Sequence, residues 1–95
     1  MIIKIENRNF IDELERLQNE VQSRQSIIAY MISSGVDIKS ASFQEYQREY
    51  FDYFKKYDKK KEEVRLTYIA PNLTDEEAAT KNWTLDFASG ELTIR

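Results

Sequence analysis

The side chains that could carry chemistry in this chain are carboxylates, tyrosines and lysines, because histidine and cysteine are both absent. Without them, Ser-His-Asp triads, Cys-His pairs, thiolate zinc sites and histidine-ligated iron cannot form. Glu45, Glu49 and Asp52 lie within two turns of a predicted helix, where a carboxylate pair could perform acid–base work or bind a metal. Arg48 and Lys56 step beside them, which favours a solvated face with local ion pairs. We therefore expect no catalytic residue, no metal site and no cofactor.

A lysine-rich run follows these carboxylates. It comprises Lys55, Lys56, Lys59, Lys60 and Lys61. Lysines beside aromatic rings can hold a single-stranded nucleic acid through charge and base stacking. Acidic residues interleave with the run, however, and the net charge of the chain is −3, whereas nucleic-acid binders usually carry a basic excess. The five lysines are therefore candidate phosphate contacts only under an alternative hypothesis, in which the chain is a nucleic-acid-associated protein.

The aromatic residues of the same segment repeat with the period of a helix. Steps of three and four residues join Phe43, Tyr46, Tyr50, Tyr53 and Tyr57. This row predicts a long helix that packs along one side. Ser42 and Glu45 match a capping box at its start, and Pro71 is expected to forbid helix beyond about Tyr68.

A second apolar row precedes the aromatic one and predicts another long helix. It contains Phe10, Leu14, Leu17, Val21, Ile28 and Met31, and Arg24 interrupts it. Asn9 is the expected N-cap, acidic residues are expected in the first turn, and Gly35 is expected to end the helix in a left-handed conformation. Joined by residues 35–42, the two helices predict an antiparallel hairpin over about residues 10–69.

The remaining residues predict a small mixed segment over about residues 74–95. Thr74 and Glu77 form a second capping signature, which predicts a short helix. Alternating apolar residues from Trp83 to Ile94, with a turn at Ser89-Gly90, predict a β-hairpin. An isolated hairpin is marginal in water, so it must lean on the helices, gain the alternating Ile3 and Ile5 as a third strand, or pair with another chain. The expected fold is mostly α, in one domain spanning residues 1–95.

The expected function follows from surface that a single hairpin cannot bury. Tyrosine is enriched at interfaces, and a lone polar group in a helix row can set register or partner choice. The candidate interface residues are Tyr46, Tyr50, Tyr53, Tyr57, Arg24 and Trp83. They predict a non-enzymatic protein–protein interaction or self-associating module, such as a small structural, adaptor or inhibitor protein of a bacterium, phage or mobile element. The partner is expected to be another protein or a second copy.

The location of the protein is inferred from what its sequence lacks. The longest uninterrupted apolar run, residues 27–32, is much shorter than the roughly 20 residues that a membrane span needs. No secretion signal is visible at the start of the sequence. We therefore expect a small acidic cytoplasmic protein without a membrane segment.

Overall fold

The computed structural model describes the backbone of residues 1–95 and all side chains except those of residues 78 and 79. Its helices are α1 (Arg8–Ser33), α2 (Ala41–Val64) and α3 (Asp75–Thr80), and its strands are β1 (Ile2–Lys4), β2 (Trp83–Leu85) and β3 (Glu91–Ile94). The two long helices contact each other in antiparallel orientation, and the strands form one antiparallel sheet. The predicted fold class is confirmed, including the N-terminal strand that joins the C-terminal hairpin.

The chain divides into two compact units, and both long helices contribute to each. We call Met1–Glu15 together with Lys59–Arg95 the sheet unit, and Arg16–Asp58 the hairpin unit. The buried apolar residues of the sheet unit are Ile5, Ile11, Leu14, Val64, Ile69, Leu92 and Ile94, and those of the hairpin unit are Leu17, Val21 and Phe43. Of the predicted α1 row, Leu14, Leu17 and Val21 are fully buried, whereas Phe10, Ile28 and Met31 are only half-buried.

The N-cap of helix α1 lies two residues before its predicted position. The side-chain oxygen of Asn7 accepts a hydrogen bond from the Phe10 backbone N–H at 3.1 Å, so Asn7 is the N-cap and the prediction of Asn9 was wrong. The first turn consequently contains no acidic residue, which corrects the expected charge pairing with the helix dipole. This start places Ile11 in the core of the sheet unit, where it is 1% exposed.

The end of α1 follows the prediction. Gly35 has a φ of 79°, in the left-handed region that glycine adopts without a steric penalty. The Val36 N–H donates to the Met31 carbonyl at 3.0 Å, and the Gly35 N–H donates to the Ile32 carbonyl at 3.1 Å. These two hydrogen bonds form a Schellman motif, which satisfies carbonyls that the helix end would otherwise leave unpaired.

Helix α2 is also capped two residues before the predicted position. The Ser40 hydroxyl accepts a hydrogen bond from the Phe43 N–H at 3.2 Å, so the predicted cap at Ser42 was wrong. A turn that starts at Asp37 places Ser40 at the cap position. In this turn the Asp37 side chain accepts a hydrogen bond from the Lys39 N–H at 2.9 Å, and the Asp37 carbonyl accepts one from the Ser40 N–H at 3.0 Å.

The far end of α2 changes its winding instead of stopping. A π-helical turn, Arg65–Ile69, follows directly, and a 3-10 turn, Ala70–Asn72, comes next. Pro71 lies in the first turn of that 3-10 segment, where a missing N–H costs no hydrogen bond. The expectation that Pro71 excludes further helix was therefore too strict, because helical turns continue to Asn72.

The sheet has the order β1-β3-β2, so the last strand of the chain is central. Leu92 of β3 stands opposite Ile3 on one side and Leu85 on the other. The hairpin turn is held by Asp86, whose carboxylate accepts hydrogen bonds from the N–H groups of Ala88 at 2.9 Å and Ser89 at 3.3 Å. The predicted capping box of α3 is present as well, between Thr74 and Glu77.

Candidate interaction site

Arg24 links the two helices within the hairpin unit. Its guanidinium carbon lies 4.0 Å from the centroid of the Tyr53 ring, and its Nε lies 3.6 Å from a carboxylate oxygen of Glu49. It also pairs with Glu20 one turn earlier in α1. Its side chain is only 20% exposed, and its Nε has no hydrogen-bond partner among the described residues. The residue that interrupts the apolar row is thus a charged contact between the helices, stabilised by ion pairing and a cation–π interaction.

The tyrosine row of α2 is packed along one edge and open along the other. Tyr50, Tyr53 and Tyr57 are half-buried, and Tyr46 is exposed. Burial raises the pKa of the Tyr57 hydroxyl above its ordinary value. Trp83 is half-buried on β2 and belongs to the sheet unit, so the structure assigns it to a different unit from the tyrosines.

Two phenylalanines beside the tyrosine row are more open than the tyrosines themselves. Phe51 and Phe54 are 50% and 40% exposed. The Tyr50 ring centroid lies 5.6 Å from that of Phe51 and 6.0 Å from that of Phe54, so the three rings form one cluster. These phenylalanines are not among the interface residues predicted from the sequence. The signal that identifies them is a second row at heptad spacing on α2, which contains Gln44, Gln47, Phe51 and Phe54.

Exposed apolar side chains are concentrated in the hairpin unit. This unit contains seven of the ten large apolar side chains that are exposed in the described part of the chain. The seven are Ile27, Tyr30, Ile32, Ile38, Tyr46, Phe51 and Phe54. Contiguous exposed apolar surface is typical of an interaction site, whereas single exposed apolar residues are ordinary. Of these seven residues, Phe51 and Phe54 share a ring contact with Tyr50.

Two of the three candidate carboxylates, Glu45 and Glu49, lie in a shallow depression, and Asp52 does not line it. The depression is lined by Ser42, Glu45, Tyr46 and Glu49, all of which are exposed. The carboxylates therefore remain in contact with water, which weakens the electrostatic effects that acid–base catalysis needs. The described residues contain no group of three or more carboxylates that could hold a metal ion.

The lysines of the basic run have separate surroundings. Lys60 is 19% exposed, and its Nζ lies 3.4 Å from Glu13 and 3.5 Å from Glu63. Lys55, Lys56 and Lys59 are exposed, and the Lys56 Nζ lies 5.2 Å from the centroid of the Tyr53 ring. Successive helix residues are about 100° apart, so Lys59, Lys60 and Lys61 point in three directions. This dispersal favours a solvated helix surface over a groove for phosphates.

We accordingly expect no measurable binding of random DNA or RNA at about 150 mM salt, because the lysines point in different directions and acidic residues that repel phosphate interleave with them. Fluorescence anisotropy across a salt series is the measurement. The opposite result would be micromolar affinity that falls with salt by a log–log slope of about −0.9 per duplex phosphate neutralised. If Lys55→Gln with Lys59→Gln abolished such binding, the nucleic-acid hypothesis would replace the interaction-module hypothesis.

Two further observations bear on the class of protein. Within the part of the chain that the structure describes, no helix combines the length and apolar character needed to cross a bilayer. Comparison with protein-family models, with curated proteins and with solved structures finds no match to this chain.

Proposed function

We propose that this chain is a non-enzymatic protein-interaction module whose binding surface lies on the hairpin unit. The observation that carries the proposal is the exposure of Phe51 and Phe54, at 50% and 40%, beside the half-buried Tyr50. Aromatic side chains dominate binding energy at protein interfaces and are enriched at their centres. A three-ring cluster that remains open to water is the kind of anchor that a partner protein covers.

The packing of the two helices supports the same function. Ion pairing and the cation–π contact join Arg24 of α1 to Glu49 and Tyr53 of α2, which holds together the hairpin unit that carries the exposed rings. An ordered surface loses less conformational entropy on binding than a mobile one. Tyr46 adds an exposed ring with a hydroxyl that can donate or accept a hydrogen bond at an interface rim.

Site-specific photo-crosslinking tests the proposed function. A photoreactive phenylalanine analogue at position 51 is expected to form covalent adducts in the native host cell, either with another protein or with a second copy of the chain. The matched control is the same analogue at Leu66, which is 56% exposed but belongs to the sheet unit. Adducts from position 51 but not from position 66 would support the proposal. An absence of adducts at position 51, or equal adducts at both positions, would contradict it.

A further inference from the structure

Each long helix carries a second row of residues at heptad spacing, beside the row that packs the hairpin. The row on α1 is Gln18, Gln22, Gln25, Ala29 and Ile32, and the row on α2 is Gln44, Gln47, Phe51 and Phe54. Their steps of three and four residues keep each row on one side of its helix. No member of either row is charged, and all except the half-buried Gln18 are exposed. We call these nine residues the uncharged face.

The two rows emerge on the same flank of the hairpin unit. The contacts from Arg24 to Glu49 and Tyr53 mark the opposite flank. At about 100° per residue, the α1 row is centred roughly 120° around its helix from Arg24, and the α2 row is centred roughly 140° from Tyr53. Because the helices are antiparallel, these rotations carry both rows toward the same side. Along the two rows this flank carries no charge, and the next position of the α2 row is the exposed Asp58.

We propose that the uncharged face binds a second copy of this chain, which gives a four-helix interface. This inference rests on the proposed function and names the partner of the same surface. Heptad-spaced rows are the pattern by which helices interlock side by side, so the surface fits helices. Phe51, Phe54 and Ile32 would supply the apolar contacts, and the glutamines would surround them.

The lack of charge favours an identical copy over a different protein. A two-fold interface places each patch against itself, so a charged residue near the axis would meet its own like charge. The centre of the uncharged face avoids this repulsion, because Asp58 lies one helical turn beyond Phe54, at the end of the α2 row. Glutamine amides are donors and acceptors at once, so a glutamine row can hydrogen-bond to its own copy.

The size of the face sets the expected strength of the dimer. The rows extend roughly 20 Å along helices that rise 1.5 Å per residue, and the face is about two helices wide. Such an area is at or below the roughly 800 Å² per partner of a standard interface. We therefore expect a reversible monomer–dimer equilibrium in the micromolar range and not an obligate dimer.

Sedimentation equilibrium at concentrations on the order of 1 to 200 μM tests this inference. All substitutions used in the test are at exposed residues. The double substitution Gln25→Glu and Gln47→Glu places like charges on both rows and is expected to weaken the dimer about tenfold or more. Gln25→Lys with Gln47→Lys should weaken it similarly, and a one-to-one mixture of the two variants should restore association. The matched control is Asn19→Glu with Ser26→Glu, two exposed α1 positions outside the face, which should leave the equilibrium unchanged. Circular dichroism confirms that each variant is folded.

Three outcomes would overturn the second-copy proposal. The wild-type chain could stay monomeric throughout, the control could weaken the dimer as much as the glutamate variant does, or the mixture could fail to recover. A monomeric chain that still forms adducts with another protein from position 51 would leave the proposed function standing. A monomeric chain without such adducts would remove both.

Discussion

Replacement of Leu17 by alanine is expected to lower the free energy of unfolding by about 2–5 kcal/mol, the range for leucine truncations in packed cores. Leu17 is 2% exposed in the hairpin unit, whose buried apolar residues otherwise comprise only Val21 and Phe43. A small core leaves few neighbouring side chains that can close the cavity, so we expect the loss in free energy of unfolding to lie above the lower limit of this range. Urea unfolding followed by circular dichroism, at a concentration below dimer formation, measures the change.

Two substitutions calibrate this result. Lys59 is exposed, and Lys59→Ala should change the free energy of unfolding by no more than about 0.5 kcal/mol. Tyr50 is only half-buried, so Tyr50→Ala should cost less than Leu17→Ala although both residues lie in predicted packing rows. A costly Lys59→Ala together with a silent Leu17→Ala would show that the wrong faces of the helices had been assigned to the interior.

Gly90→Ala is the second substitution with a large expected effect, about 3 kcal/mol of destabilisation from conformation and steric overlap together. Gly90 is buried and has a φ of 77°. A Cβ there would lie 2.9 Å from the Ile5 carbonyl oxygen and 3.0 Å from Ile11 Cδ1. The Ile5 oxygen belongs to the backbone, so it cannot move away from the new Cβ by a change of rotamer. A shift of the Ile5 backbone would strain the hydrogen bond that its N–H donates to the Gly90 carbonyl at 2.9 Å, which joins the N-terminal segment to the hairpin turn.

Gly35→Ala separates the two parts of that cost. Gly35 has nearly the same φ, 79°, but a Cβ there would meet no described atom within 4 Å. Its substitution should therefore cost only the left-handed conformation, about 1–2 kcal/mol. Thermal or urea unfolding of both variants makes the comparison. Equal destabilisation would mean that the close approach of Ile5 and Ile11 to Gly90 adds nothing.

Local patterns were sufficient to predict the elements of this fold. Helix period is a property of neighbouring residues, so the spacing of Leu14, Leu17 and Val21 identified the buried face of α1 without knowledge of its partner. The left-handed Gly35 and the capping box at Thr74 were predictable for the same reason, because each concerns backbone groups within a few residues. The sequence predicted that the C-terminal hairpin needs support, since a lone hairpin is marginal, and the third strand was one of the three kinds of support it allowed.

The candidate site was predictable only in part. The tyrosine row and Arg24 were recognisable as features of one surface, and Arg24 does lie against Tyr53. Phe51 and Phe54 were not singled out, because a residue beside a packed row can be covered or open and the sequence does not distinguish the two. Their openness depends on what the rest of the chain covers.

Tertiary structure decided which of several equivalent local signals is used. Asn7 and Asn9 are equally good caps, but β1 pairs with β3, and the Ile5 N–H bonds to the Gly90 carbonyl. Helix α1 must then start early enough to bring Ile11 beside Gly90, and this contact joins residues about 80 positions apart. The sequence by itself therefore determined the helix period and the residues able to form caps. Choice of cap, depth of burial and the uncharged open face depend on long-range contacts that no short window of sequence contains.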